Sequence, residues 1–96
     1  MSAITVTRFT VDPTNIDALR AEHAALVAAI KQAGAGLLDA WLGRVNDTEW
    51  AGVWRWNSVA SLRAARETPP APELAHAAFA LVDNPTVDEI EVFDER

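Results

Sequence analysis

The stretch LLDAWLGRVNDTEWAGVWRW, residues 37–56, decides how this chain folds. It holds two strand-like runs on either side of a polar turn. In Leu37 to Arg44, the side chains of Leu38, Ala40 and Leu42 share one face and Asp39, Trp41 and Gly43 the other, because successive strand residues point to opposite sides. Asn46-Asp47-Thr48 is turn chemistry, since short polar side chains bond their own backbone there. Trp50 to Trp56 is the returning strand, with Trp50, Trp54 and Trp56 on one face and Gly52 between them. The two runs predict an antiparallel hairpin.

Upstream of the hairpin, Ile4 to Val11 alternates and is β-branched, which predicts a first strand. Ile4, Val6 and Arg8 fall on one face; Thr5, Thr7, Phe9 and Val11 fall on the other. Asp12-Pro13 ends it, Thr14 is placed to cap a helix, and Ile16, Leu19, His23, Leu26, Val27 and Ile30 recur at helical spacing. Gly34 and Gly36 supply the stop. Downstream, Asn57 or Ser58 can cap a short helix to about Glu67, which the prolines at 69, 70 and 72 break. Pro72 opens a third helix through Leu74, Ala78, Leu81 and Val82, ended by Asp83-Asn84-Pro85. Val87 to Phe93 is a last strand, with Ile90 and Val92 opposite Glu89 and Glu91.

That order predicts one α+β domain over residues 1–96, a ferredoxin-like split β-α-β with a four-stranded antiparallel sheet. The helices cover one face. The face with Ile4, Val6 and Val53 also needs cover, and a second copy of the sheet supplies it most simply, so a homodimer is expected. Arg8 and Arg55 fall on that face, where Glu89, Glu91 or Asp39 can serve as their partners.

Composition narrows the function. The 96 residues carry a net charge of −6, with eight Lys and Arg against fourteen acids. No basic stripe is visible, so neither nucleic acid nor an anionic membrane is an expected partner. Cysteine is absent, which excludes disulfides and thiolate chemistry. No signal peptide or spanning segment is legible, and the expectation is a cytoplasmic protein. The two His are not at a metal-binding spacing, so no metal site is expected. There is no phosphate-cradling glycine loop, dinucleotide fingerprint or nucleophile elbow.

Gly36-Leu37-Leu38, Arg44 and Trp54-Arg55-Trp56-Asn57-Ser58 together resemble the second hairpin of the antibiotic biosynthesis monooxygenase superfamily. Pro72-Glu73-Leu74 is similar to that family's opening of the third helix. The resemblance implies a dimeric α+β barrel with a pocket between sheet and helices in each subunit. Family members include cofactor-free monooxygenases, haem-degrading enzymes and quinol oxygenases. One departure is Trp54, where the family often has an acid. In the haem-degrading branch Asn, Trp and His carry the chemistry; alignment puts Thr7, Ala65 and Ala78 there, with His76 two residues away. Haem degradation is therefore disfavoured.

The resemblance implies a monooxygenase without cofactor, acting on a small aromatic or hydroquinone-type substrate that supplies its own electrons. His23 or His76 would be the base, Trp54 and Trp56 a stacking wall, and Thr7 and Asn57 polar contacts. Each has a plainer alternative. His23 can be a core-edge imidazole bonded to a carbonyl, His76 a solvent-edge residue, and the Trp face simple core. The competing function is a non-catalytic small-ligand-binding or accessory homodimer of the same fold. An open cavity with a His on its wall favours ligand chemistry, and a cavity filled by its own Trp favours the structural role.

Overall fold

The computed structural model describes residues 2–34 and 36–96. Among them run β1 (Ala3–Thr10), α1 (Ile16–Gln32), β2 (Leu37–Arg44), β3 (Glu49–Trp56), α2 (Val59–Glu67), α3 (Ala71–Phe79) and β4 (Asp83–Glu91). The strands form one antiparallel sheet in the order β2-β3-β1-β4. This is the α+β, ferredoxin-like arrangement that the sequence predicts.

Local chemistry explains most of the boundaries. Asn46 Oδ1 accepts from the backbone N–H of Thr48 and of Glu49 and closes the hairpin turn. Ser58, not Asn57, caps α2, its hydroxyl accepting from Ser61 N at 3.0 Å. Gly34 and Gly36 both sit at positive φ, 68° and 78°, where a side chain would be strained. A Cβ on Gly36 would also come within 2.5 Å of Asn57 Oδ1.

Several boundaries differ from the sequence reading. A 3-10 turn, Pro13–Asn15, precedes α1, and its cap is Asp12, whose carboxylate accepts from Thr14 N and Oγ1. Those two bonds hold the Asp12 carboxyl below its ordinary range. Thr14 is thus the donor and not the cap. Helix α3 stops at Phe79, leaving Leu81 and Val82 in the turn that follows. Strand β4 begins at Asp83, four residues before Val87, because a register shift opposite Arg8–Thr10 and a positive φ at Asn84 let the polar segment pair with β1.

The helices cover the face bearing Thr5, Phe9, Trp54 and Trp56. The core there is two clusters. One gathers Trp56 and Leu62, each 2% exposed, with Leu26, Ile30 and Leu37. The other gathers Phe9, Val11 and Leu19, with Trp50 and Val82 packed against them. None of the described helices lies on the opposite face. Cross-strand pairing lines up Trp41, Val53, Val6 and Asp88 in one row and Asp39, Arg55, Ile4 and Ile90 in the next. Trp41 and Ile90 on that face are 53% and 46% exposed. Arg55 finds Asp39, donating from Nε at 3.0 Å and from Nη2 at 2.6 Å. Arg8 takes Glu49 at 3.7 Å, and neither Glu89 nor Glu91 serves these two arginines.

Candidate functional site

Between the two core clusters lies a cavity of about 260 Å³. Helix α1 contributes Leu19, His23, Leu26 and Ile30, one stripe at four-, three- and four-residue spacing. The sheet contributes Thr5, Thr7 and Phe9 from β1 and Gly52, Trp54 and Trp56 from β3, all of one strand parity. Helices α2 and α3 close the sides with Leu62, Ala65, Ala71 and Ala75. Phe79, Val87 and Arg66 also line it and are well exposed, so the mouth opens between α2, α3 and β4.

Trp54 Nε1 donates to His23 Nε2 at 3.1 Å. The rings meet edge to face, with centroids 5.7 Å apart and planes at 71°. An indole N–H can only donate, so Nε2 is the accepting nitrogen and the neutral imidazole carries its proton on Nδ1. Desolvation of the half-buried ring pushes its pKa below the ordinary 6.5. At neutral pH His23 is therefore an uncharged imidazole on the cavity wall. Its partner is an indole and not a backbone carbonyl.

Trp56 is the floor. It is almost wholly buried, and its Nε1 donates to Thr5 Oγ1 at 3.3 Å. Trp54 stands beside it, ring centroids 6.0 Å apart and tilted by 39°. Gly52 lies alongside, and a Cβ there would meet nothing closer than 3.8 Å. The missing side chain is part of what leaves the cavity open.

The predicted site residues divide. His23, Thr7, Trp54 and Trp56 come together on one cavity. His76 is exposed on α3, which turns Ala75, Ala78 and Phe79 inward instead, and it is not among the lining residues. Asn57 is exposed too; its Oδ1 accepts from Ser61 Oγ and its N–H donates to Gly36 O, which ties the start of β2 to the end of β3. Thr7, Ala65 and Ala78, the three positions aligned with haem-degrading residues, all line the cavity.

Sequence reasoning missed Thr5 and Arg66. Arg66 follows Leu62 by one helical turn, so it extends the inward stripe of α2 to the mouth. There it pairs with Glu89 on β4. A charged residue continuing an apolar stripe was the available signal. Among the described residues no cluster of three or more His, Cys, Asp or Glu is placed to hold a metal ion. No described helix is long and apolar enough to cross a membrane.

Known structures share this architecture over nearly the whole chain. Rv0793 from Mycobacterium tuberculosis superposes with a TM-score of 0.79 at 23% identity, covering 99% of this chain and 98% of that one. A protein from Caulobacter crescentus assigned to the antibiotic biosynthesis monooxygenases gives 0.82 at 16% identity, covering 97% and 91%. The fold is that of the antibiotic biosynthesis monooxygenases. SnoaB from Streptomyces nogalater, a cofactor-independent oxygenase crystallised in a point-mutant form, superposes with a TM-score of 0.76 at 22% identity, covering 98% and 95%. No family model matches the sequence, and no curated protein does either.

Proposed function

We propose that this protein is a cofactor-independent monooxygenase for a small aromatic substrate of hydroquinone type, bound between sheet and helices. The observation that carries the reading is a neutral imidazole, His23, hydrogen-bonded to an indole on the wall of an open, largely apolar cavity. SnoaB, a cofactor-independent oxygenase, has the same fold.

The chain's own residues have three tasks. Trp54 stacks on the ring above the floor that Trp56 forms, and Thr7 offers a polar contact. His23 Nε2 takes the proton of a substrate hydroxyl. As its lone pair is consumed, Trp54 Nε1–H is released and donates to the new oxyanion. The anion then gives its electrons to O₂. One oxygen atom enters the substrate and the other leaves as water, so no external reductant is needed. The unaccompanied sheet face, with Trp41, Val53, Val6 and Ile4, joins a second copy of the chain.

Naphthalene-1,4-diol and isotope-labelled O₂ test the reading. Monooxygenation converts this diol and O₂ into 2-hydroxynaphthoquinone and water, with one labelled atom in the product. Spontaneous oxidation gives the unsubstituted quinone and hydrogen peroxide instead. Labelled product that disappears in His23→Gln supports the proposal. The spontaneous product alone, formed at the protein-free rate, sinks it. The second reading, ligand binding without turnover, draws on the same hydrogen bond, because the resting imidazole has its lone pair occupied. A crystal soaked anaerobically with the diol would show density in the cavity under both readings, and turnover separates them.

A further inference from the structure

We infer that the aromatic ligand of this cavity carries an anionic group, a carboxylate, which Arg66 receives at the mouth in competition with Glu89. The inference rests on the reading of the cavity as an aromatic-ligand site and names the chemical class of that ligand.

Arg66 is the one permanently charged side chain among the described residues lining the cavity, since His23 is held neutral. The rest of the lining is apolar or carries a hydroxyl or an indole N–H. A guanidinium beside such a wall presents a planar fork that suits a carboxylate. Its position is set by α2. Leu62 and Ala65 anchor the helix in the core at 2% and 4% exposure, and Arg66 follows them onto the rim. Across the mouth, Glu89 stands opposite Thr5 in the β1–β4 ladder, two residues from the lining residue Val87.

The pair is exchangeable because it is wet. The side chains of Arg66 and Glu89 are 49% and 35% exposed, and ion pairs so placed contribute little net stability. Glu89 belongs to an edge strand exposed along its whole length. A carboxylate tethered to a ring already seated on Trp54 and Trp56 arrives at Arg66 with a high effective concentration. The chain's net charge of −6 repels anions at long range, so any preference for an anion must come from this local contact.

Calorimetric titration with naphthalene-2-carboxylate and its neutral carboxamide, on the full chain at low salt, tests this. The wild type should bind the carboxylate about five- to tenfold more tightly. Arg66→Gln should erase that preference and leave carboxamide binding in place. Glu89→Gln should strengthen the carboxylate alone, a gain that a folding defect would not produce. Equal binding of the two ligands by the wild type, or a preference that survives Arg66→Gln, overturns the inference while leaving the cavity reading intact. Binding of neither ligand overturns both.

Discussion

The indole of Trp54 donates its N–H to His23 Nε2 across 3.1 Å, linking the third strand to the first helix over the cavity. The bond fixes the imidazole tautomer and ties the candidate base to the candidate stacking wall. It also gives Trp54→Phe a defined meaning. Phenylalanine keeps most of the ring and removes the donor, so the neutral imidazole loses a bond and the charged form gains relative weight. The His23 pKa should rise towards its ordinary value. Proton NMR titration of the imidazole reads this directly, and an unmoved titration would mean that the bond has no energetic weight.

Stability should depend on the same ring. The folded pKa of His23 lies below 6.5. The unfolded chain therefore binds more protons in the window between the two values. The stabilising contribution is complete above 6.5 and is lost as pH falls through the folded pKa. Urea unfolding should show a lower midpoint at about pH 5.5 than at about pH 7.5, and His23→Gln should shrink the difference. A slope unchanged by that substitution would place the titration elsewhere.

Gly52 offers a test in which stability and binding move in opposite directions. A methyl group there has room, and alanine loses less backbone entropy than glycine on folding. Gly52→Ala should therefore stabilise the fold by roughly 0.5–1 kcal/mol. The same methyl occupies cavity space, so affinity for a naphthalene ligand should fall. Thermal melting and calorimetry on one sample read both effects.

The open sheet face predicts assembly. Trp41 is more than half exposed beside Val53 on a face that none of the described helices covers. Equilibrium sedimentation at micromolar concentration should give twice the chain mass. Trp41→Glu should give the single mass with its circular dichroism retained. A wild-type monomer throughout that range would remove the second copy from the proposal.

Haem should not form a stoichiometric complex. Thr7, Ala65 and Ala78 converge on the cavity and offer neither an imidazole nor an amide where haem degradation places them. Hemin titration should show no sharp absorption change at one equivalent. A one-to-one complex that releases iron with a reductant would overturn the alignment.

Much of this was legible in residues 37–56 and their flanks. Alternation put three indoles on one face, Asn46 closed the turn, and helical spacing set His23 in the stripe of α1. These are local rules with periods of two and 3.6, and β3 and α1 obey them, whereas a register shift between Leu37 and Asp39 breaks the alternation of β2 and leaves Leu38 exposed. Where local preference was weak, the sequence reading strayed. Residues 83–86 carry turn-like composition, yet Asp83 and Thr86 pair with β1, because a tertiary ladder overrides weak propensity. What the sequence could not decide was which residues meet across elements. His76 and His23 had equal claim as a base, and only the packing of α1 and α3 put one on the cavity wall and left the other on the surface. The same holds for Trp54 with His23 and for Arg66 with Glu89. Each pair is more than twenty residues apart, and its partners are chosen by how helices sit on a sheet.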